Sequence, residues 1–256
     1  MAAMRLDVNC DMGEGFGNWR IADDAALLPL ITTANLACGF HAGDPLIMME
    51  TVAAARAAGV AVGAHPGLPD LAGFGRRVMA LSAAELHACF AYQIGALQAF
   101  LRLHAMPLNH VKPHGALFHV LRDPAMAEAA LDAIARAAPG AAVYWLAGEV
   151  FAERARARGL RVVTEAYPDL DYAEDGMLLV ERRKRAVAPA LIEARITEIL
   201  TRGTLTARGG AVLPMAVESV CIHSDGPNVA EVLAAVRRAA GACGTTLACA
   251  TGSAAG

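Results

Sequence analysis

The feature that most constrains this chain is a repeated alternation of short apolar segments with longer segments of helical periodicity. The strand-like segments span residues 6–10, 33–38, 60–64, 109–111, 142–146, 162–165 and 219–222. The helical segments span residues 44–58, 82–103, 124–138, 149–158, 189–202 and 229–240. Such alternation is typical of parallel βαβ units. Because no Pro/Gly/Ser-rich linker divides the chain, it predicts one α/β domain over residues 1–256, a (β/α)7 barrel, with an open doubly wound sheet as the alternative.

The composition excludes several classes of protein. With 256 residues, 56% of them hydrophobic and 18% charged, the chain is too apolar to be disordered. Its formal net charge of -3 offers no electrostatic footprint for nucleic acid. The longest stretch without charge, residues 25–43, contains Pro29 and His41, so we expect no membrane helix. Arg5 and Asp7 stand where an export signal would be apolar, and the six cysteines form no CxxC pair, so we expect a reduced, cytoplasmic protein.

Polar side chains are concentrated directly after the predicted strands. They are Asp11 and Glu14, His41 and Asp44, His65 and Asp70, Lys112 and His114, Glu165 and Asp169, and His223 and Asp225. In a parallel barrel the carboxyl ends of all strands meet on one face, which carries the active site in enzymes of this architecture. The pattern therefore predicts one pocket built from distant segments, and it favours an enzyme.

The first motif, DVNCDMGEGFG at residues 7–17, combines alternating polar residues with glycines. Asn9 and Asp11 share one face of the strand, and the glycines permit tight turns close to a ligand. The alternative is a glycine-rich turn that Asp11 caps. The glycine spacing is not GxGxxG, and the chain contains no GxxxxGK[ST] loop, so a Rossmann site and a Walker A loop are unsupported.

Two further motifs, ACGFHAGD and GAHPGLPD, each place a histidine just after a strand. His41 and His65 together with Asp11 would make a three-ligand site with open positions, as a divalent metal in a hydrolase requires. The alternative is that these histidines bind and protonate a substrate without a metal.

The motif HVKPHGALFH contains one of only two lysines among 22 basic residues, the other being Lys184. A lysine at a strand end suggests a compact charge for a phosphate or an oxyanion, although chance use in a surface loop is the alternative. His114 is a candidate acid or base, whereas His110 and His119 fit packing or surface positions. The basic run 182–185 is expected to be a solvated loop. Asp225 either caps the last predicted helix or lies at an anion site.

Taken in order, the motifs DVNCDMGEGFG, ANLACGFHAGD, GAHPGLPD with GFGRR, YQIGAL, HVKPHGALF and CIHSD make the chain resemble the LamB/YcsF family. The resemblance covers nearly the whole chain. It implies a seven-stranded (β/α) barrel similar to the glycoside hydrolase/deacetylase superfamily. It also implies ATP-dependent cleavage of 5-oxo-L-proline to L-glutamate, together with separate B and C subunits. One departure is EAYPDLDY at 165–172, where Leu170 replaces the family's arginine and Pro168 is additional, so the substrate contacts are expected to differ there.

The expected roles combine the motifs with this resemblance. Catalytic roles are expected for Asp11, Glu14, His65, Lys112 and His114, with His223 as a second candidate for proton exchange. Substrate contacts are expected from Asn9, His41, Asp44, Glu165, Asp169, His223 and Asp225. ATP is the expected cofactor, and a divalent metal and a homo-oligomer are left open. The alternatives are a metal-dependent deacetylase-type hydrolase of amides or sugars and a non-catalytic subunit that binds the substrate.

Overall fold

The computed structural model describes residues 4–179 and 184–252. Its strands are β1 (Arg5–Met12), β2 (Thr33–Ala37), β3 (Ala61–His65), β4 (His110–Val111), β5 (Ala142–Leu146), β6 (Val162–Ala166), β7 (Asp171–Tyr172), β8 (Leu178–Leu179), β9 (Thr204–Thr206), β10 (Val212–Pro214), β11 (Ser219–Ile222) and β12 (Thr246–Leu247). Its α-helices are α1 (Asp24–Leu27), α2 (Pro45–Ala58), α3 (Ala83–Leu103), α4 (Leu117–Val120), α5 (Pro124–Ala137), α6 (Val150–Ala157), α7 (Pro189–Arg202) and α8 (Val229–Ala242). Two short 3₁₀ helices cover Leu28–Leu30 and Leu71–Gly73.

Seven of these strands form a closed parallel barrel in the order β1-β2-β3-β4-β5-β6-β11. The barrel closes because β11 returns to β1, with Asp7 paired to Ser219 and Cys10 to Ile222. This closure confirms the predicted barrel and excludes the open sheet. The short strand β12 pairs with the beginning of β1, at Arg5 and Leu6. The hairpins β7–β8 and β9–β10 are additions that the hydrophobic pattern did not predict.

The helix boundaries follow local signals in the sequence. Ser82 caps α3 in a complete capping box with Glu85. Asp44 caps α2, whose first residue is proline, and Gly59 ends that helix in the left-handed conformation. The longest helix, α3, packs mainly on α5, and α7 packs on α8. No helix within the described ranges is both long and apolar enough to cross a membrane.

The strand β1 divides its side chains between an apolar and a polar environment. Val8, Cys10 and Met12 belong to the main hydrophobic core. Asp7, Asn9 and Asp11 alternate with them and are equally buried. Since successive side chains of a strand point to opposite faces, the polar set lies inside the barrel and the apolar set faces the helices.

The barrel interior is held together by hydrogen bonds between these polar side chains. Asp7 accepts hydrogen bonds from the hydroxyls of Thr32 and Thr33, and from the Ser219 hydroxyl at 2.6 Å. The Asn9 amide donates to Ser219 and to Glu165, both at 2.8 Å. Buried polar groups are tolerated when such partners satisfy them. The interior therefore forms a rigid polar floor beneath the carboxyl ends of the strands.

Candidate active site at the barrel mouth

The centre of the mouth is a buried ion pair between β1 and the segment after β4. Lys112 Nζ lies 3.0 Å from Asp11 Oδ1, 2.8 Å from Cys221 Sγ and 4.0 Å from Glu165 Oε1. Burial opposes the charge on Lys112, yet the facing Asp11, Cys221 and Glu165 raise its pKa well above the usual range. Burial likewise opposes the charge on Asp11, but His65 and Lys112 hold the pKa of Asp11 well below its usual range. The pair is therefore charged, and Lys112 is not the exposed loop residue of the alternative interpretation.

Asp11 is oriented by a residue that the sequence reasoning missed. Asn35 of β2 donates to Asp11 Oδ1 at 2.9 Å, and its own carbonyl oxygen lies 2.7 Å from His110 Nε2. His110 is buried inside the barrel and stacks on Tyr144. It is thus a packing residue that fixes Asn35, as expected. The available signal was the position of Asn35 on the inward face of β2, in register with Asp11.

Glu14 and three histidines form a second buried cluster beside the ion pair. His65 Nε2 lies 2.9 Å from His114 Nδ1 and 3.4 Å from Asp11 Oδ1. His41 Nε2 lies 3.3 Å from Glu14 Oε1, and the His41 ring stacks on His114 with 3.7 Å between centroids. The predicted convergence of Asp11, His41 and His65 in one place at the carboxyl ends of the strands is confirmed.

Two glycines of the predicted motifs make room for this cluster. A Cβ on Gly67 would lie 2.4 Å from His41 Nδ1. A Cβ on Gly75 would lie 2.7 Å from the Cβ of His41, and the backbone there has a φ of +64° that favours glycine. The glycines around the histidines therefore serve close packing of the rings.

His223 and Asp169 form a hydrogen-bonded dyad on the opposite side of Asp11. Asp169 accepts hydrogen bonds from His223 Nδ1 at 3.0 Å and from its backbone N–H at 3.2 Å. Burial would raise the pKa of Asp169, but His223 and Lys184 lower it below its usual range. With Nδ1 engaged, Nε2 is directed toward Asp11 Oδ2, which lies 4.0 Å away. His223 can therefore exchange a proton at Nε2 while Asp169 fixes its tautomer.

Lys184 contradicts the expectation of a solvated basic loop. Its side chain is only 8% exposed, and Nζ lies 2.9 Å from Asp225 Oδ1 and 3.4 Å from Asp169 Oδ2. Burial opposes its charge, but Asp169 and Asp225 raise its pKa. The prediction was wrong because the two carboxylates come from distant segments. Residues 182 and 183 of the same run lie outside the described residues.

Two of the predicted substrate-binding acids are engaged elsewhere. Asp44 accepts hydrogen bonds from the backbone of Leu46 and Ile47 in α2 with one oxygen, and from Gly17 N–H with the other. Its carboxylate is thus a structural cap, which corrects the expected substrate contact. Asp225 pairs with Arg76 at 2.6 Å and with Lys184, and α8 has Asn228 rather than Asp225 at its N-cap.

A cavity of about 530 Å³ opens beside the dyad. Its walls combine His223, Asp169 and Lys184 with apolar residues of the loops and of α7 and α8. Arg195 and Arg208 also line it, and the sequence reasoning singled out neither. Arg195, on α7, donates to the carbonyls of Pro168 and Leu170, both at 2.9 Å. An arginine from another helix therefore braces the loop in which the family pattern has its own arginine.

The loop that carries Glu14 is anchored by Asp24, which accepts a hydrogen bond from Gly13 N–H at 2.7 Å. Burial raises the pKa of Asp24 to about 6, whereas an unfolded aspartate titrates near 3.9. Between these values the folded protein binds more protons, so this stabilisation is complete below about pH 4 and is lost as the pH rises through about 6.

We therefore expect Asp24→Asn to raise the free energy of unfolding at about pH 8, by on the order of 1–3 kcal/mol, and to change it little at about pH 4. Asparagine keeps an acceptor for Gly13 and carries no charge. Denaturant unfolding across this pH range measures the difference. Asp23→Asn, at the neighbouring helix cap, is the matched control and should show no such trend. A difference for Asp24→Asn that does not vary with pH would contradict this assignment.

Comparison with known proteins places these residues in a family context. The model of the LamB/YcsF family matches residues 6–255. The chain is 45% identical over 236 residues to the lactam utilization protein lamB of Emericella nidulans, covering 90% of this chain and 92% of that protein. It is 46% identical over 242 residues to the A subunit of the 5-oxoprolinase of Mycolicibacterium paratuberculosis, covering 92% and 96%.

A solved structure agrees with the fold. The crystal structure of the lactam utilization protein from Thermus thermophilus superposes with a TM-score of 0.89 at 43% sequence identity, covering 96% of this chain and 99% of that one. The family match, the relatives and the barrel agree over nearly the whole chain. This chain therefore belongs to the LamB/YcsF family.

Proposed function

We propose that this protein is the A component of a 5-oxoprolinase, which opens the lactam ring of 5-oxo-L-proline to give L-glutamate with hydrolysis of ATP. The observation that carries the proposal is the match, along nearly the whole chain, to relatives that are A subunits of 5-oxoprolinases. The mouth supports it with acids, imidazoles and a buried ammonium gathered from six strand ends. The six cysteines are all free thiols, in keeping with a reaction in the cytoplasm.

The chemistry requires activation of an unstrained amide. Transfer of the γ-phosphoryl group of ATP to the lactam oxygen releases ADP and makes C5 a better electrophile. A water oxygen then bonds to C5 while its proton leaves, and the ring C–N bond breaks as the nitrogen accepts a proton. The acyl phosphate that results is hydrolysed by a second water to glutamate and phosphate.

The dyad is suited to the proton transfers of this sequence. His223 lines the cavity, and Asp169 holds its Nδ1 proton, so Nε2 can accept the proton of the attacking water. Lys112 keeps Asp11 ionised beneath this point, and that negative charge stabilises His223 once it is protonated. Lys184, Arg195 and Arg208 supply positive charge around the cavity for the carboxylate of the substrate or for phosphate.

The activation by ATP is assigned to the assembled complex with separate B and C subunits. The sequence contains no GxxxxGK[ST] loop, and relatives that carry the letter A as one subunit of an enzyme imply further subunits. We expect the purified chain to release little or no glutamate from 5-oxoproline and ATP, and the chain mixed with B and C subunits to release it. Quantification of glutamate in both reactions tests this. Robust ATP-dependent turnover by the single chain would refute it.

The same assay separates the two alternatives. A metal-dependent amide hydrolase, which the cluster of Glu14 with His41, His65 and His114 would suit, would release glutamate without ATP. A subunit that only binds substrate would leave the activity of the complex intact in Asp11→Asn and His65→Ala. We expect neither result, because both side chains belong to the network that surrounds the dyad.

A further inference from the structure

The contact between His65 and His114 has an unusual requirement. His65 Nδ1 lies 2.6 Å from the carbonyl oxygen of Lys112, and His114 Nε2 lies 2.8 Å from the carbonyl oxygen of Phe74. A carbonyl oxygen only accepts hydrogen bonds, so both of these ring nitrogens carry hydrogen. In the neutral rings the other two nitrogens, His65 Nε2 and His114 Nδ1, therefore carry lone pairs. These two nitrogens face each other at 2.9 Å.

Two lone pairs at this distance repel unless a cation lies against both of them. Both side chains are almost fully buried, at 2% and 4% exposure, so bulk water does not relieve the repulsion. The carboxylate of Glu14 adds a third donor, with Oε1 3.5 Å from His114 Nδ1. The cluster thus presents two imidazole nitrogens and one anionic oxygen to a common point.

The spacing of these donors suits a transition metal. Atoms that coordinate a tetrahedral zinc ion at about 2.0–2.1 Å lie roughly 3.3 Å from one another. In known sites the second nitrogen of a ligating histidine commonly donates to a backbone carbonyl or a carboxylate, which fixes the tautomer and the ring orientation. Lys112 and Phe74 supply such carbonyls here.

We propose that Glu14 Oε1, His65 Nε2 and His114 Nδ1 bind one divalent metal ion of the zinc class, a three-ligand site that leaves a position open. This inference deepens the description of the proposed active site. It does not require the oxoprolinase reaction, because it concerns binding by the chain alone.

The geometry also decides which neighbours are not ligands. The ring of His41 lies parallel to that of His114, with 6° between their planes, and in-plane lone pairs of stacked rings do not converge on one ion. His41 instead contacts Glu14 and is a positioning residue. Asp11 Oδ1 is already engaged by Lys112 and Asn35. The ligand set expected from the sequence, Asp11, His41 and His65, is therefore replaced except for His65.

Metal binding by the full-length isolated chain tests the proposal. We expect the chain, once stripped with a chelator, to bind about one equivalent of Zn²⁺ in calorimetry, with Co²⁺ giving a visible absorption band of a site with nitrogen and oxygen ligands. Zn²⁺ should also raise the melting temperature, as any ligand of the native state does. His65→Asn and His114→Ala should each weaken Zn²⁺ binding by at least roughly 100-fold and remove the thermal shift.

His41→Phe keeps the stacked ring but lacks a metal donor, so it should retain one equivalent with affinity lowered by about 10–100-fold at most. His119→Ala, at an exposed histidine, is the matched control and should bind as the unmodified chain does. Circular dichroism verifies that each variant is folded. Two results would overturn the proposal. One is no stoichiometric binding of Zn²⁺ or Co²⁺ by the unmodified chain, and the other is binding lost in His41→Phe but kept in folded His114→Ala. Both are measured without substrate, so they are distinct from failure of the oxoprolinase assay.

Discussion

Lys112→Met is expected to reduce turnover of the assembled enzyme by roughly 10²–10³-fold, the range seen when one donor is removed from a site that stabilises charge. The reason is the double role of the ammonium group. It lies 3.0 Å from Asp11 and 4.0 Å from Glu165, so its loss leaves two buried carboxylates without their counter-ion. Breaking a buried pair in this way costs about 3–5 kcal/mol, so the melting temperature should fall as well. A sequence-based expectation of little effect on folding is thereby corrected.

The kinetic and structural effects of Lys112 can be separated. Activity is measured well below the lowered melting temperature and normalised to folded protein by circular dichroism. Lys112→Arg should restore part of the stability but not the turnover, because the planar guanidinium does not fit the space of a compact ammonium. Lys184 is unsuitable as a control since it is buried beside Asp169, so Arg136→Ala on the exposed face of α5 replaces it. Unchanged turnover in folded Lys112→Met would rule out the role assigned to this residue.

His223→Ala is expected to lower turnover of the complex by roughly 10²–10⁴-fold with little loss of stability. The side chain is 17% exposed and borders a cavity, so its removal creates no closed void. Asp169→Asn should lower turnover in the same direction, because an amide in place of the carboxylate no longer stabilises the protonated ring.

Chemical rescue distinguishes proton transfer from support of the structure. Added imidazole can enter the space left by His223→Ala, because the cavity of about 530 Å³ is open at that point. We expect it to restore part of the turnover of His223→Ala and none of that of Asp169→Asn. His119→Ala, at an exposed histidine of α4, is the control and should retain full activity. If His223→Ala keeps normal turnover, the proton acceptor is another group.

Local signals predicted most of the barrel. The seven strand segments and six helical segments all correspond to observed elements, because each carries its own hydrophobic period and several carry their own caps. Ser82 and Asp44 cap the helices that their motifs indicate. The two hairpins have strands of only two or three residues, too short to show a period, and they were not predicted.

The site was predicted in its members better than in its contacts. Position after a strand was enough to gather Asp11, His65 and His223, since barrel topology makes strand ends neighbours. It could not reveal that Lys184 lies against Asp169, because that contact depends on how two loops fold together. Nor could it reveal that His41 stacks on His114 instead of facing the same point as His65. Such relations depend on ring orientation, which residue order does not specify.

The seam between β1 and β11 has a consequence for how the protein emerges from the ribosome. The pairing of Asp7 with Ser219 joins positions 212 residues apart, so β1 is made long before its partner. At typical rates of synthesis the interval is roughly 10–40 s, during which one edge of β1 has no strand to pair with. An unpaired apolar edge invites association with other nascent chains. Asp7, Asn9 and Asp11, at alternate positions of this strand, would then protect it by keeping half of its side chains hydrated until the seventh strand arrives.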